Sequence, residues 1–198
     1  MNIIMLGKPG SGKGTVGKML SEKLGVIHIS SGELFRSYIK KAGEIGTKIN
    51  EYVSKGELVP DDLAIKLVEK RLLEEDCKDG VILDGFPRTV EQAKELQRFL
   101  EEHNKKINIA VELALTDKDI IDRIVKRVVC TNKDCREVYN LEFKRPQKEG
   151  ICDICGSKLE KREDDNLETV QKRLETYRNT AGKLVDYYKE QDLLYAVK

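Results

Sequence analysis

The first fifteen residues constrain this chain more than any others. Asn2-Ile3-Ile4-Met5-Leu6 is a short apolar run, and Gly7-Lys8-Pro9-Gly10-Ser11-Gly12-Lys13-Gly14-Thr15 follows it directly. A brief run of that composition reads as a strand buried on both faces, and the pattern from Lys13 to Leu24 reads as a helix. Glycines let a backbone turn tightly while an anion lies against it, and the helix start adds the positive end of its dipole. Strand, glycine loop and helix in that order describe a phosphate-binding loop, with Lys13 as a mobile charge for terminal phosphates. The plainer alternative is a glycine-rich strand–helix turn with no ligand. The common form of the loop has its hydroxyl residue directly after the lysine; here Gly14 intervenes and Thr15 carries the hydroxyl.

The same alternation continues along the chain. Val26–Ile29, Val81–Leu83, Ala110–Leu115 and Leu193–Val197 read as further strands. Helical patterns cover about 13–24, 32–41, 43–55, 61–74, 90–103, 117–128 and 167–190. This predicts a three-layer α/β/α body around a five-stranded parallel sheet. One stretch, Cys130–Lys161, breaks the pattern with cysteine, glycine, proline and charge, and reads as a small surface insert. The length of 198 residues suits one domain with such an insert. A formal net charge of +1 gives no overall field to attract nucleic acid or an anionic membrane. The opening apolar run is too short for a signal segment, and no run approaches the ~18 apolar residues of a membrane span. The expectation is a soluble, cytoplasmic protein.

Two more motifs stand just past the ends of strands, where open α/β sheets bind ligands. Ile29-Ser30-Ser31-Gly32-Glu33-Leu34-Phe35-Arg36 follows the second strand, and Asp84-Gly85-Phe86-Pro87-Arg88 follows the third. With the loop wording Gly-x-Pro-Gly-x-Gly-Lys-Gly-Thr, they make the chain resemble the adenylate kinases and their nucleoside-monophosphate kinase relatives. The resemblance implies phosphoryl transfer from ATP to AMP, giving two ADP, with Mg²⁺. It assigns Gly10, Ser11, Gly12, Lys13, Gly14 and Thr15 to the ATP phosphates, and Arg123, Arg127, Val138 and Tyr139 to the donor nucleotide. It assigns Ser31, Arg36, Glu57, Leu58, Val59, Gly85, Phe86, Pro87, Arg88 and Gln92 to AMP. Arg162 and Arg173 join the acceptor set and, with Arg127, close over the transferring group. Ser31 and Glu33 stand where the family usually has Thr and Asp.

The chemistry needs these residue types. The attacking group is already an anionic phosphate oxygen, so catalysis reduces to positioning two polyanions and neutralising their charge. Guanidinium is always charged and grips phosphate with two donors. Lys13, Arg88, Arg127, Arg162 and Arg173 are therefore the catalytic candidates, with Asp84 as the carboxylate that holds Mg²⁺ through water. Arg123 and Arg127 fall four apart and are expected to share one helix face. Asp164 and Asp165 are expected to orient the arginines. Bland readings stay open: Asp84 as a strand-end cap, and Gln92 as the far partner of a Thr89 capping box rather than the reader of adenine.

Cys130-x4-Cys135 and Cys152-x2-Cys155 are two pairs separated by sixteen residues. Paired cysteines at that spacing suit a structural zinc site, and the two histidines, His28 and His103, lie far away in sequence. The predicted ligand set is Cys130, Cys135, Cys152 and Cys155, with disulfides and a nucleic-acid-binding zinc ribbon as alternatives. By resemblance the insert is a lid over ATP. The expected division is a core of 1–29, 60–127 and 163–198, a monophosphate-binding segment at 30–59 and a zinc-binding lid at 128–162. Relatives usually continue past the last strand into a final helix, so the chain is expected to be about one helix short. A monomer is expected. The rivals are a UMP- or CMP-type kinase and a P-loop regulator that binds nucleic acid.

Overall fold

The computed structural model describes residues 1–41 and 43–197; Ala42, in the expected monophosphate segment, and Lys198, at the end of the expected core, lie outside it. The strands are β1 (Asn2–Gly7), β2 (Ile27–Ser30), β3 (Val81–Asp84), β4 (Ile109–Leu113), β5 (Arg127–Cys130), β6 (Val138–Asn140), β7 (Leu159–Glu160) and β8 (Leu194–Val197). The helices are α1 (Lys13–Leu24), α2 (Ser31–Lys40), α3 (Glu44–Val53), α4 (Asp61–Leu72), α5 (Val90–Glu102), α6 (Asp117–Val125) and α7 (Leu167–Glu190).

Five strands pair in parallel in the order β2-β3-β1-β4-β8. Alternate residues of β1 serve the two faces, as the strand period requires. Ile4 and Leu6 join the large core with Phe35, Leu67, Val68, Leu96 and Tyr188 from the helices. Ile3 and Met5 pack on the other side with Ile82, Val16 and Leu20, the last two from α1. Both faces are covered, so the strands are apolar runs rather than alternating ones.

The helix starts are written locally. Ser30, Thr89, Thr116 and Asn166 each cap a helix, their side-chain oxygens accepting a backbone N–H three residues on. One expected element is wrong. The predicted helix 117–128 ends at Val125, and Arg127 opens strand β5. Ile120 and Ile124, both buried, have helical spacing that Val128 extends, and this apolar period misleads. The β-branched pair Val128-Val129 instead pairs antiparallel with Tyr139 and Val138 of β6. Arg123 and Arg127 therefore do not share a helix face. The insert forms a three-stranded sheet in the order β6-β5-β7, a unit with its own small buried cluster.

Candidate active site

The loop after β1 turns as its glycines demand. Gly7 and Gly10 have φ of 138° and 79°. A Cβ on Gly7 would lie 2.6 Å from the Leu113 carbonyl oxygen, and one on Gly10 would lie 2.6 Å from Ile124 Cγ1. Conformation and space thus both exclude side chains there. No side chain caps α1, so its first N–H groups are left for a ligand. The Ser11 hydroxyl is buried without a partner. Lys13 Nζ donates to the carbonyls of Gly7 at 2.7 Å and Lys8 at 2.8 Å. Burial lowers its pKa to about 8; Asp84 works against that shift, while Arg88 and Arg127 add to it.

An open cleft begins at this loop. Gly10, Lys13, Arg36, Asp84, Arg88, Gln92, Arg127, Arg162 and Arg173 all line it, as do Glu57, Leu58, Val59, Gly85, Phe86 and Pro87. Residues from six separate stretches of sequence therefore meet in one space. Burial holds Arg36 and Arg88 below the ordinary guanidinium range, helped in each case by neighbouring arginines. Arg162 falls to about 10 for the same reasons: burial first, then Arg36 and Arg127. Such mutual repulsion marks a site prepared for an anion.

Two carboxylates keep this cluster together. Arg127 makes a two-pronged pair with Asp165, Nε to Oδ2 at 2.8 Å and Nη2 to Oδ1 at 2.5 Å. Arg173 bonds Asp164 and stands 3.8 Å from Asp165, while Arg36 lies 3.9 Å from Asp164. Burial pushes the Asp164 carboxyl up, but Arg173, Arg36 and Arg162 outweigh it and leave the group below its ordinary value. The expected orienting role of Asp164 and Asp165 has this geometry behind it.

Asp84 ends β3 beside the loop: a Cβ on Gly14 would lie 3.4 Å from its Oδ2. Its carboxylate offers oxygen donors of the kind a hard cation such as Mg²⁺ prefers. The Ser31 hydroxyl is buried and unpartnered, and packs where a Cβ on Gly85 would meet it at 2.7 Å. Gln92 is buried, and its amide bonds the Arg88 N–H and Asp61. The Thr89 side chain accepts the Gln92 N–H, which is half of the capping box. The other half is altered, because the Gln92 carbonyl takes the N–H of Arg88 rather than that of Thr89.

Some expected residues do not line the cleft: Ser11, Gly12, Gly14, Thr15, Ser31, Arg123, Val138 and Tyr139. The Tyr139 ring is turned inward, 3% exposed, with its Oη accepting the Asp153 N–H at 2.8 Å. Its side chain serves the lid interior rather than a donor nucleotide. Arg123 sits in the last turn of α6 with its guanidinium 5.6 Å from the Phe143 ring centre. Sequence reasoning missed the wall supplied by α7. Thr176, Tyr177, Thr180, Ala181, Leu184 and Val185 line the cleft, yet their helical spacing reads as ordinary core.

The four insert cysteines converge as one cluster, all four sulfurs within 4.8 Å of one another. Cys130 and Cys155 Sγ are 3.4 Å apart, and Cys135 and Cys152 Sγ 3.7 Å. A tetrahedron with ~2.3 Å metal–sulfur bonds has edges of about 3.8 Å, so the cluster fits a zinc ion. No disulfide joins any of the five cysteines, and the closest sulfurs stand well beyond the ~2.05 Å of an S–S bond.

A parallel sheet with a glycine loop, a lysine and five arginines facing one cleft defines the class: a P-loop phosphotransferase acting on small phosphorylated molecules. The family model for adenylate kinase matches residues 5–193. Curated adenylate kinases from Caldicellulosiruptor bescii and Clostridium tetani are each 46% identical, over 98% and 100% of this chain and 89% and 90% of their own lengths. That of Archaeoglobus fulgidus is 44% identical over 100% of this chain and 90% of its own. The chain belongs to the adenylate kinase family, and its activity is that of a nucleoside monophosphate kinase. No helix among the described residues is long and apolar enough to cross a membrane.

Proposed function

We propose that the enzyme catalyses the reversible transfer of the terminal phosphoryl group from ATP to AMP, giving two ADP. The observation that carries this reading is the convergence of Lys13 with Arg36, Arg88, Arg127, Arg162 and Arg173 on one cleft that Gln92 also lines. An oxygen of the AMP phosphate attacks the terminal phosphorus of ATP. The bond from that phosphorus to the bridging oxygen breaks, and ADP leaves with the electron pair. No proton has to move, so no general base is required. Arg36 and Arg88 hold the acceptor phosphate, Lys13 and the loop N–H groups hold the donor phosphates, and Arg127, Arg162 and Arg173 neutralise the group in transit. Asp84 would hold Mg²⁺ through water, and the cation would supply positive charge to offset that of the phosphates.

Residues 1–29, 60–127 and 163–198 act as the core, 30–59 as the monophosphate-binding segment and 128–162 as a lid that excludes water and so suppresses ATP hydrolysis. Cys130, Cys135, Cys152 and Cys155 hold a zinc ion with a closed shell, hence a structural one. Arg123 and the lid residues Val138 and Tyr139 flank the donor nucleotide, Tyr139 through its backbone. The protein works as a cytoplasmic monomer with nucleotides, not nucleic acid or membrane, as partners. A coupled ADP assay with AMP, UMP and CMP as acceptors tests the substrate. AMP is expected to be favoured by more than tenfold, as hydrogen-bonding sites discriminate at least that well. Equal rates with UMP or CMP overturn the reading.

A further inference from the structure

Gln92 occupies the third position of α5 and is 2% exposed. Its amide is held from two sides. Oε1 accepts the Arg88 backbone N–H at 2.8 Å, and Nε2 donates to Asp61 Oδ1 at 2.7 Å. Asp61 is the first residue of α4, and its other oxygen accepts the Thr89 hydroxyl at 2.9 Å. One carboxylate thus ties the start of α4 to the start of α5.

A backbone N–H can only donate, and an ionised carboxylate can only accept. The two partners therefore dictate which end of the amide is oxygen and which is nitrogen, a choice that amide shape alone leaves open. A side-chain amide has two N–H donors and two acceptor lone pairs. The protein uses one of each, so one donor and one acceptor remain for the cleft that Gln92 lines. Their order is fixed. It complements a purine with an acceptor at N1 beside an amino group at C6. It opposes a purine with a donor at N1 beside a carbonyl at C6, which fits only if the amide turns over. Turning the amide sets N–H against N–H at Arg88 and oxygen against oxygen at Asp61, and each buried mismatch is costly.

We propose that Asp61 is a positioning residue for base selection: by locking the Gln92 amide, it makes the acceptor site choose a 6-amino purine over a 6-oxo purine. The inference rests on the reading of AMP as the acceptor. The lysine, arginines and phosphate loop are untouched by it, so its signature belongs to the base and not to phosphoryl transfer.

The test compares AMP with IMP, which has the same ring size and no added amino group. In Asp61→Ala the amide keeps only the Arg88 partner, and the AMP:IMP ratio of kcat/KM is expected to fall ~10-fold, the scale of one misplaced hydrogen-bonding group. The fall should lie in KM for the monophosphate, with KM for ATP unchanged. Asp61→Asn keeps an acceptor for Nε2 and should retain most of the ratio. Asp61→Ser, a residue suited to a helix start, repeats the test with less risk to folding. In a Gln92→Ala background, Asp61→Ala should change the ratio no further. An unchanged ratio in both the Ala and Ser variants, or a joint loss for AMP and ATP, overturns the role of Asp61 alone. A wild-type enzyme with no preference for AMP over IMP overturns the acceptor reading, and this inference with it.

Discussion

The cleft and the lid solve the same problem with opposite charges. Each gathers groups that repel one another around a space. In the cleft these are guanidinium groups, and the protein supplies its own counter-ions: Asp165 pairs with Arg127, and Asp164 lies against Arg173 and Arg36. In the lid they are four sulfurs, and among the described residues no lysine or arginine hydrogen-bonds to them. Their partners are one another, the Tyr139 hydroxyl, Ser157 and backbone N–H groups, among them those of Asn132, Glu137 and Ile154. The cleft thus carries its own counter-ions, whereas the four sulfurs of the insert form a cluster that a cation fits. The difference separates a site built for traffic from one built for permanence.

Removing the metal should break this comparison most sharply. The buried cluster of the insert holds only Val128, Cys130, Tyr139, Cys152 and Leu159, and two of those belong to the four-sulfur group. So little apolar area cannot offset the entropy of ordering the strands, whereas zinc supplies on the order of 10 kcal/mol to such a segment. Cys152→Ser, or chelation, is expected to melt the lid while the parallel sheet stays folded, and to lower phosphoryl transfer ~10²-fold through lost positioning. Elemental analysis should give about one zinc per chain in the wild type. A metal-free protein with a fully ordered lid and full activity would falsify the division drawn between the two regions.

Removing an internal counter-ion of the cleft comes next. The Asp165 side chain is 1% exposed and its Arg127 partner 17%. Asp165→Asn leaves a buried guanidinium under-compensated, which typically costs ~3 kcal/mol. The loss should appear in denaturant titrations and shrink when inorganic phosphate is added, because an external anion then replaces the missing one. Equal stability of variant and wild type without phosphate would mean that the arginines do not rely on their carboxylates.

The cleft was more legible in the sequence than the lid, for a physical reason. Loop, lysine and acceptor arginines sit at fixed offsets from strand ends, so local signals locate them. The metal set was legible too, because paired cysteines carry their spacing with them. What escaped depended on three-dimensional register. Arg127 reads as helical because Ile120, Ile124 and Val128 keep a helical period, while the strand it opens is set by pairing with residues nine to thirteen positions away. The orientation of the Tyr139 ring escaped as well, because strand alternation turns it into the interior of the insert. The α7 wall was invisible because residues that line a cleft and residues that fill a core share the same apolar spacing. Asp61 gave no signal at all, since its partners lie 28 and 31 residues away.

The smallest expected effect concerns Lys13, whose ammonium is buried near Arg88 and Arg127, with Asp84 as the neighbouring charge that favours protonation. Its pKa falls from 10.5 to about 8 on folding. Between those values the unfolded chain holds more protons than the folded one, so this group's contribution makes stability rise with pH across that window. Catalysis has the opposite sign, because only the protonated lysine neutralises the donor phosphates. The kcat/KM for ATP, which reports the free enzyme, should bend downward near pH 8 and fall up to ~10-fold per unit above it. Bound nucleotide brings negative charge to the ammonium and raises its pKa, so ATP binding near pH 8 should take up a proton, measurable by calorimetry in buffers of different ionisation enthalpy. The lid site, filled by its metal, should show no such uptake with nucleotide. A kcat/KM profile flat to pH 10, or binding without proton uptake, would show that the cleft does not press on Lys13 as its surroundings imply. Rising stability with falling activity over one pH range is the mark of a charge held in place for a ligand rather than for the fold.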